Sequence, residues 1–446
     1  MKTLHLVSLG CPKNLVDSEV MLHRLEQDGY TVVEDPAAAD LLLVNTCGFI
    51  APAVEEAVDE ILRLAEYKKE APDKLLVVTG CLVQRYGEQL KTELPEVDLF
   101  TGTDAFQEID VLIRKIDAEA DAHVDVRKEP YLMDSKSGRR LSTPFFRSYL
   151  KITEGCDNRC SYCMIPSIRG NLRSRTIADL VEEAQQLASE GVLELTLIAQ
   201  DLTAYGDDID GADLLLLLRK LLDETEIPWF RLLYLYPTGI SDELLQLIAE
   251  EHRIVPYLDI PFQHVSDPVL KRMNRRYGHQ DLADLLTRIR KHLPECAIRT
   301  TLLIGFPGEV EEDIEELIGF LQKWSLDHVG VFQYADEEGS AAIRLKGKVD
   351  EQTKLERYNK VMEVQSEISS ARQQLYVGSV ESVLVEGFSR ESDLLLEGRT
   401  RYQAPEIDGC VYITDGTANP GDIVQVKITE AHPYDLVGEI VGDTSR

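Results

Sequence analysis

Over the first 130 or so residues, short apolar runs alternate with amphipathic stretches of helical period. The runs are "LHLVSLG", "LLLVNT" and "LLVVTG", and between them lie "LVDSEVMLHRLEQDG" and "VEEAVDEILRLAEYKKE". Apolar strands alternating with helices predict a doubly wound parallel sheet. Residues 131–147, "YLMDSKSGRRLSTPFFR", are polar, basic and serine-containing, and read as a linker. A second α/β series spans 148–375, with strand candidates "YLKIT", "LELTLIAQ", "WFRLLYL", "VPYLDIP", "IRTTLLIGF" and "HVGVFQYA". Six βα repeats fall short of the eight that close a full barrel, so an open, partial TIM-type barrel is expected. A long amphipathic helix over about 354–375 ends this region. From 376 to 442 the helical period stops. Short strands broken by Gly, Asp, Asn and Pro predict a small all-β barrel of OB-like size.

Composition narrows the class. At 446 residues, 44% of them hydrophobic, the chain has room for about three packed domains. No apolar run approaches the ~18 residues that span a bilayer. Met1 leads straight into "TLHLVSLG" without the basic and long apolar segments of a secretory signal, so a cytoplasmic protein is expected. The net charge of −32 disfavours a broad hold on nucleic acid, which needs Lys and Arg to displace counterions. It favours a basic partner through electrostatic steering. Eight cysteines in a reducing compartment point to metal binding or catalysis rather than disulfides.

Six of those cysteines form two sets. Cys156, Cys160 and Cys163, in "EGCDNRCSYCMIP", put three thiols within eight residues, at the carboxyl end of the first strand of the second series. Zinc would want a fourth protein ligand, and the nearest candidate in sequence is His123. A [4Fe–4S] cluster on three thiolates instead leaves one iron open, and that iron can take the amino and carboxylate groups of S-adenosylmethionine. Tyr162 precedes the last cysteine. Cys11, Cys47 and Cys81 each follow one apolar run directly, in "VSLGC", "LVNTC" and "VVTGC". If the three runs are strands of one sheet, the three thiols emerge on one edge, a second tripod made by topology. Cys296 and Cys410 have no partner pattern and are assigned to packing. Gly305, in "LIGFPGEV", lets backbone approach a cofactor, and Gln200, Asp201 and Gln263 lie at strand ends as candidate contacts. Arg169, Arg173 and Arg175 follow the cysteine loop as candidate neutralising cations. Lys271, Arg272, Arg275 and Arg276 read as a solvated basic face, and His264 as a structural histidine.

The segment "GCDNRCSYCMIPSIRGNLRSR" resembles the radical S-adenosylmethionine methylthiotransferases, and the domain order resembles theirs along the whole chain. The resemblance implies a radical cluster on Cys156, Cys160 and Cys163, an auxiliary cluster on Cys11, Cys47 and Cys81, and a C-terminal TRAM domain. It also implies two S-adenosylmethionine molecules per turnover, one methylating a cluster sulfur and one giving the radical that abstracts hydrogen from the substrate. "YLKITEGCDNRC", "DIPFQHVSDPVLKRMNRR" and "FQYADEEGSAA" are similar to the branch that modifies an aspartate of small-subunit ribosomal protein twelve. Glu337, Glu338 and Gly339 stand where tRNA-modifying branches typically carry an Arg–Pro–Gly-type segment, and the two acidic side chains are expected to repel phosphate but suit a basic protein loop. Residues 376–442 hold four Lys and Arg against twelve Asp and Glu, a net of −8, which suits a basic protein surface better than RNA. The expected partners are that ribosomal protein and a reductant such as flavodoxin or ferredoxin, with the chain a monomer. The rival readings are the same chemistry on a tRNA adenosine, and a two-cluster electron carrier that is no enzyme.

Overall fold

The computed structural model describes residues 2–116, 123–126, 131–392 and 394–442. The N-terminal sheet is parallel and six-stranded, in the order β2-β1-β3-β4-β5-β6. Its strands are β1 (Lys2–Ser8), β2 (Tyr30–Val32), β3 (Leu41–Thr46), β4 (Leu75–Gly80), β5 (Leu99–Thr101) and β6 (His123–Asp125). The three long apolar runs are β1, β3 and β4, side by side at the centre, where helices cover both faces. Every residue of β3 is buried, which is why it reads as an unbroken apolar run rather than an alternating one. β2, β5 and β6 are three residues each, too short to show a period, and extend the sheet beyond the three strands the pattern predicts.

The central sheet is also parallel, in the order β14-β13-β12-β11-β10-β7. Its strands are β7 (Arg147–Lys151), β10 (Glu194–Ile198), β11 (Trp229–Leu232), β12 (Ile254–Asp259), β13 (Ala297–Ile304) and β14 (His328–Gln333). Spatial order follows chain order and the two ends do not pair, so the barrel is open. A two-stranded ribbon, β8 (Thr153–Glu154) and β9 (Arg173–Ser174), brackets the cysteine loop.

The last strands, β15 (Val380–Phe388), β16 (Leu396–Thr400), β17 (Val411–Asp415), β18 (Ile423–Ala431) and β19 (Leu436–Ile440), close into a five-stranded barrel. Alternate residues such as Val383, Val385, Val411, Ile413, Val426 and Ile428 fill its interior. The barrel is docked by buried charge. Glu194 accepts from Arg231 of the central sheet at 2.6 Å and from Arg399 of the barrel at 2.5 Å. Two guanidinium groups hold the Glu194 carboxyl down at about 2 against the upward pull of burial.

Segment 131–147 is packed along its length. Arg139 bridges Glu19 of the N-terminal region and Glu183 of the central one, each at 2.6 Å. Ser142 donates to Glu19, and Met133 and Phe146 are buried.

Candidate functional site

Both parallel sheets direct their carboxyl ends toward one cavity of about 370 Å³. All six cysteines of the two sets line it, and all are free thiols.

Cys11 caps the helix Pro12–Gln27, whose Pro at the first position needs no hydrogen-bond acceptor. Cys47 follows β3, and Cys81 opens the short helix Cys81–Tyr86 directly after β4. Gly80 makes that junction: at φ +101°, an added Cβ would meet Asn45 Oδ1 at 2.4 Å and Thr46 O at 2.6 Å. The Asn14 side chain ties these strand ends together, donating to Leu9 O at 3.0 Å and Thr46 O at 2.9 Å.

The second set sits on one loop. Gly155, at φ +73°, turns the chain so tightly that a Cβ would lie 2.0 Å from Asn171 O. Cys156 N donates to Gly170 O and Cys163 N to Cys160 O, both at 3.1 Å. Arg275 donates to the Cys160 sulfur at 3.4 Å while its guanidinium stacks on Tyr236 and Tyr277. Arg275 is therefore a half-buried site residue, a correction to its reading as part of a solvated basic face: two tyrosine rings supply the cover that the charge run hides. Arg272 packs against Gly308 instead, with its guanidinium near Pro307 O at 3.3 Å.

A buried charge network joins the two sets. Arg169 donates to the Cys81 sulfur at 3.4 Å, to Asn14 Oδ1 at 2.5 Å, to Glu154 at 3.0 Å and to Asp17 at 3.0 Å. Lys151 bonds the same two carboxylates. Burial raises the Glu154 carboxyl, but Arg169 and Lys151 outweigh it and hold it well below the usual range. The same balance operates on the thiols. Burial pushes Cys81 up to about 11 and Cys163 up to about 12, and raises Cys47 and Cys156. At Cys11 burial also raises, but Lys13, Arg169 and two backbone N–H groups win, so its thiol is lowered.

Among the other sequence candidates, Tyr162, Gln200, Asp201 and Gln263 line the cavity. Tyr162 is wedged edge-on against Phe306, and Gln200 donates to Glu154 at 3.1 Å. Gly305 does not line it. Its N–H points to the Glu309 carboxylate at 2.9 Å, and the space beside it is filled by Lys354. Arg175 is spent on Asp179 and Glu183, and Arg173 lies near Asp104. His264 is fully buried and accepts from Ser266 N, with its pKa lowered to about 4 by burial. Glu337 faces inward rather than toward a ligand. It accepts from Ala51 N at 2.7 Å and pairs with Arg85 at 3.0 Å, so its charge is used within the protein and cannot repel phosphate as expected. Cys296 is buried against Ala297 O, and Cys410 is a half-buried thiol raised to about 12 by burial.

Sequence reasoning missed Lys13, Asn14, Tyr234 and Thr301, which also line the cavity. Tyr234 and Gln263 are non-glycine residues held at φ +65° and +69°, at the ends of β11 and β12. Backbone strain of about 1–3 kcal/mol at such positions is characteristic of functional sites. "CPKN" placed Lys13 two residues from a candidate ligand, the one signal that could have found it.

The donor set fits an iron–sulfur centre on each side: three thiols, and a guanidinium donating to one of their sulfurs, Arg169 to Cys81 and Arg275 to Cys160. Among the described residues no three His, Cys, Asp or Glu side chains converge on a single ion. The thiols are instead spread around the cavity wall.

Comparison with known proteins agrees with this layout. The radical SAM superfamily model matches residues 150–321, a model described as the uncharacterized protein family UPF0004 matches 3–102, and the TRAM domain model matches 377–441. Among solved structures, the radical S-adenosylmethionine methyltransferase TsrM from Kitasatospora setae superposes with a TM-score of 0.56 at 17% identity, over 74% of this chain and 73% of that one. The cobalamin-dependent radical enzyme OxsB gives 0.53 at 12% identity, over 82% of this chain and 56% of that one. At such identities the likeness is one of fold. The architecture is thus that of a radical S-adenosylmethionine protein with a TRAM barrel. A Desulfotalea psychrophila protein is 56% identical over 98% of this chain and 99% of its own length, and one from Geobacter sulfurreducens is 48% identical over 98% of each. Both are named ribosomal protein uS12 methylthiotransferase RimO, and this chain belongs to that family.

Proposed function

We propose that the protein is a radical methylthiotransferase that modifies the β-carbon of an aspartate in ribosomal protein uS12. The observation that carries this is the convergence of six free thiols from two separate sheets on one cavity. Cys156, Cys160 and Cys163 would hold a radical cluster, and Cys11, Cys47 and Cys81 an auxiliary one. Together with two S-adenosylmethionine molecules, reduced clusters at these positions supply the electron for a carbon-centred radical and the sulfur to be transferred, chemistry that an unactivated C–H bond requires.

The chain's own groups support those tasks. Arg275 and Arg169 donate to one sulfur on each side, Cys160 and Cys81, and offset thiolate charge there. Gln200, Asp201, Gln263 and Thr301 ring the cavity as polar contacts for cofactor and substrate, and Tyr162 buries the loop that carries the radical set. No side chain is assigned as a general base. The overall charge of −32, and the net of −8 over residues 376–442, suit a basic ribosomal protein. Among the described residues no helix is long and apolar enough to cross a membrane. A cytoplasmic monomer served by a flavodoxin or ferredoxin completes the reading.

Mass spectrometry of uS12 and of tRNA from a strain lacking the gene tests the substrate. Loss of the methylthio group from uS12 is expected. Intact uS12 beside missing methylthio-adenosine overturns the choice of substrate. Reconstituted protein with dithionite should cleave S-adenosylmethionine to 5′-deoxyadenosine; a simple electron carrier would not.

A further inference from the structure

We infer that Lys13 is the cation that receives the carboxylate of the substrate aspartate, and so selects an acidic side chain. The inference rests on the aspartate reading above. Lys13 lines the cavity and is 7% exposed. Among the described residues its ammonium has one hydrogen-bond acceptor, Ala199 O at 3.2 Å, and no carboxylate within ion-pair distance. The face of the Tyr234 ring lies 3.5 Å from it.

Other buried cations of the molecule differ. Lys151 and Arg169 each bond Asp17 and Glu154, and Arg139 bonds Glu19 and Glu183. Arg275, also at the cavity, lacks a carboxylate but spends its donors on Tyr277 Oη, Pro261 O and the Cys160 sulfur. Lys13 alone among these has a single acceptor and no carboxylate. A desolvated ammonium in that condition is costly, and so is a carboxylate taken out of bulk water; each offsets the other's cost. Tyr234 sits in a left-handed backbone conformation that places its ring under the ammonium, leaving the remaining donors for the cavity. Lys13 opens the helix that follows Cys11, so a carboxylate held there keeps its neighbouring carbon in the space that both thiol sets line.

The test compares Lys13→Met and Lys13→Arg with the wild type in reconstituted full-length protein. The probes are peptides of the uS12 target loop carrying Asp or Asn at the modified position. Lys13→Met is expected to weaken the Asp peptide by about ten- to a hundredfold in Kd and KM, and to bring the Asp-to-Asn preference close to one. Lys13→Arg should recover part of both. Iron content and affinity for S-adenosylmethionine should stay at wild-type values. Unchanged peptide discrimination overturns the assignment. So does a loss of S-adenosylmethionine affinity, which would give Lys13 to the cofactor carboxylate, or a shifted EPR signal alone, which would make it a counter-charge to the cluster. N-acetylaspartate amide, followed by saturation-transfer NMR, separates the two failures. Wild type that binds this probe through Lys13 but ignores the uS12 peptide keeps the carboxylate site and loses the ribosomal substrate. Binding of the probe that is absent, or equal after Lys13→Met, removes the carboxylate site itself.

Discussion

The two thiol sets reach the same cavity by opposite routes. In the central region one loop of eight residues carries Cys156, Cys160 and Cys163, and local backbone bonds such as Cys156 N to Gly170 O shape it. In the N-terminal region Cys11, Cys47 and Cys81 come from three neighbouring strand ends, spread over about seventy residues of chain, and only the register of β1, β3 and β4 brings them together. A loop-borne site can be moved as a unit. A register-borne site is as sound as the sheet beneath it, because a one-residue slip displaces every side chain on the edge.

The contrast can be tested most severely at the cysteines. Cys156→Ala should remove about half the iron and take S-adenosylmethionine cleavage to the background of iron-free protein. Cys11→Ala should remove a similar share of iron yet keep cleavage while losing methylthio transfer. Equal loss of cleavage in both would mean the sets are not separable. Next in size is Arg169→Met, since Arg169 touches both regions. It leaves Glu154 and Asp17 to Lys151 alone and is expected to cost about 3 kcal/mol in urea unfolding, the low end for breaking a buried pair because one cation remains. Sharper separation comes from the glycines. Gly80→Ala and Gly155→Ala each impose about 1–3 kcal/mol of backbone strain, before contacts to Asn45 or Asn171 are relieved. The first should lower iron at Cys11, Cys47 and Cys81 only, the second at Cys156, Cys160 and Cys163 only, as EPR of singly reconstituted protein would show.

The smallest effect belongs to the joint that lies outside both sets. Glu194 has its carboxyl held at about 2. Its folded pKa is lowered, so its stabilisation is complete above the unfolded value of about 4.5 and is lost as the pH falls from there toward 2. Urea unfolding should lose about 2 kcal/mol between pH 6 and pH 3 through this group, and Glu194→Gln should flatten that part of the profile.

Much of this molecule was legible before folding. Parallel strands buried on both faces write themselves as apolar runs, so all six central strands and the three long N-terminal ones could be read, as could the closed β-barrel. The three-residue strands β2, β5 and β6 carry no period to read. The scattered cysteines were visible only because each follows a strand in the same way. What stayed hidden is charge whose partner is distant in sequence. Arg275 looked exposed because its run is basic, and Glu337 looked like a repelling surface group because Arg85, its partner, is about 250 residues away. Gly305 was overread, since its left-handed φ of +76° serves a turn braced by Glu309 rather than an approach to the cavity.

The clamp of Arg139 between Glu19 and Glu183 carries a last implication. It fixes the spacing of the two halves of the cavity through residues outside both thiol sets. Were both thiol sets to hold clusters, the span between them would be inherited from a segment that contains no thiol of either set. A lesion in residues 131–147 would therefore present as faulty chemistry in a protein still able to load its iron.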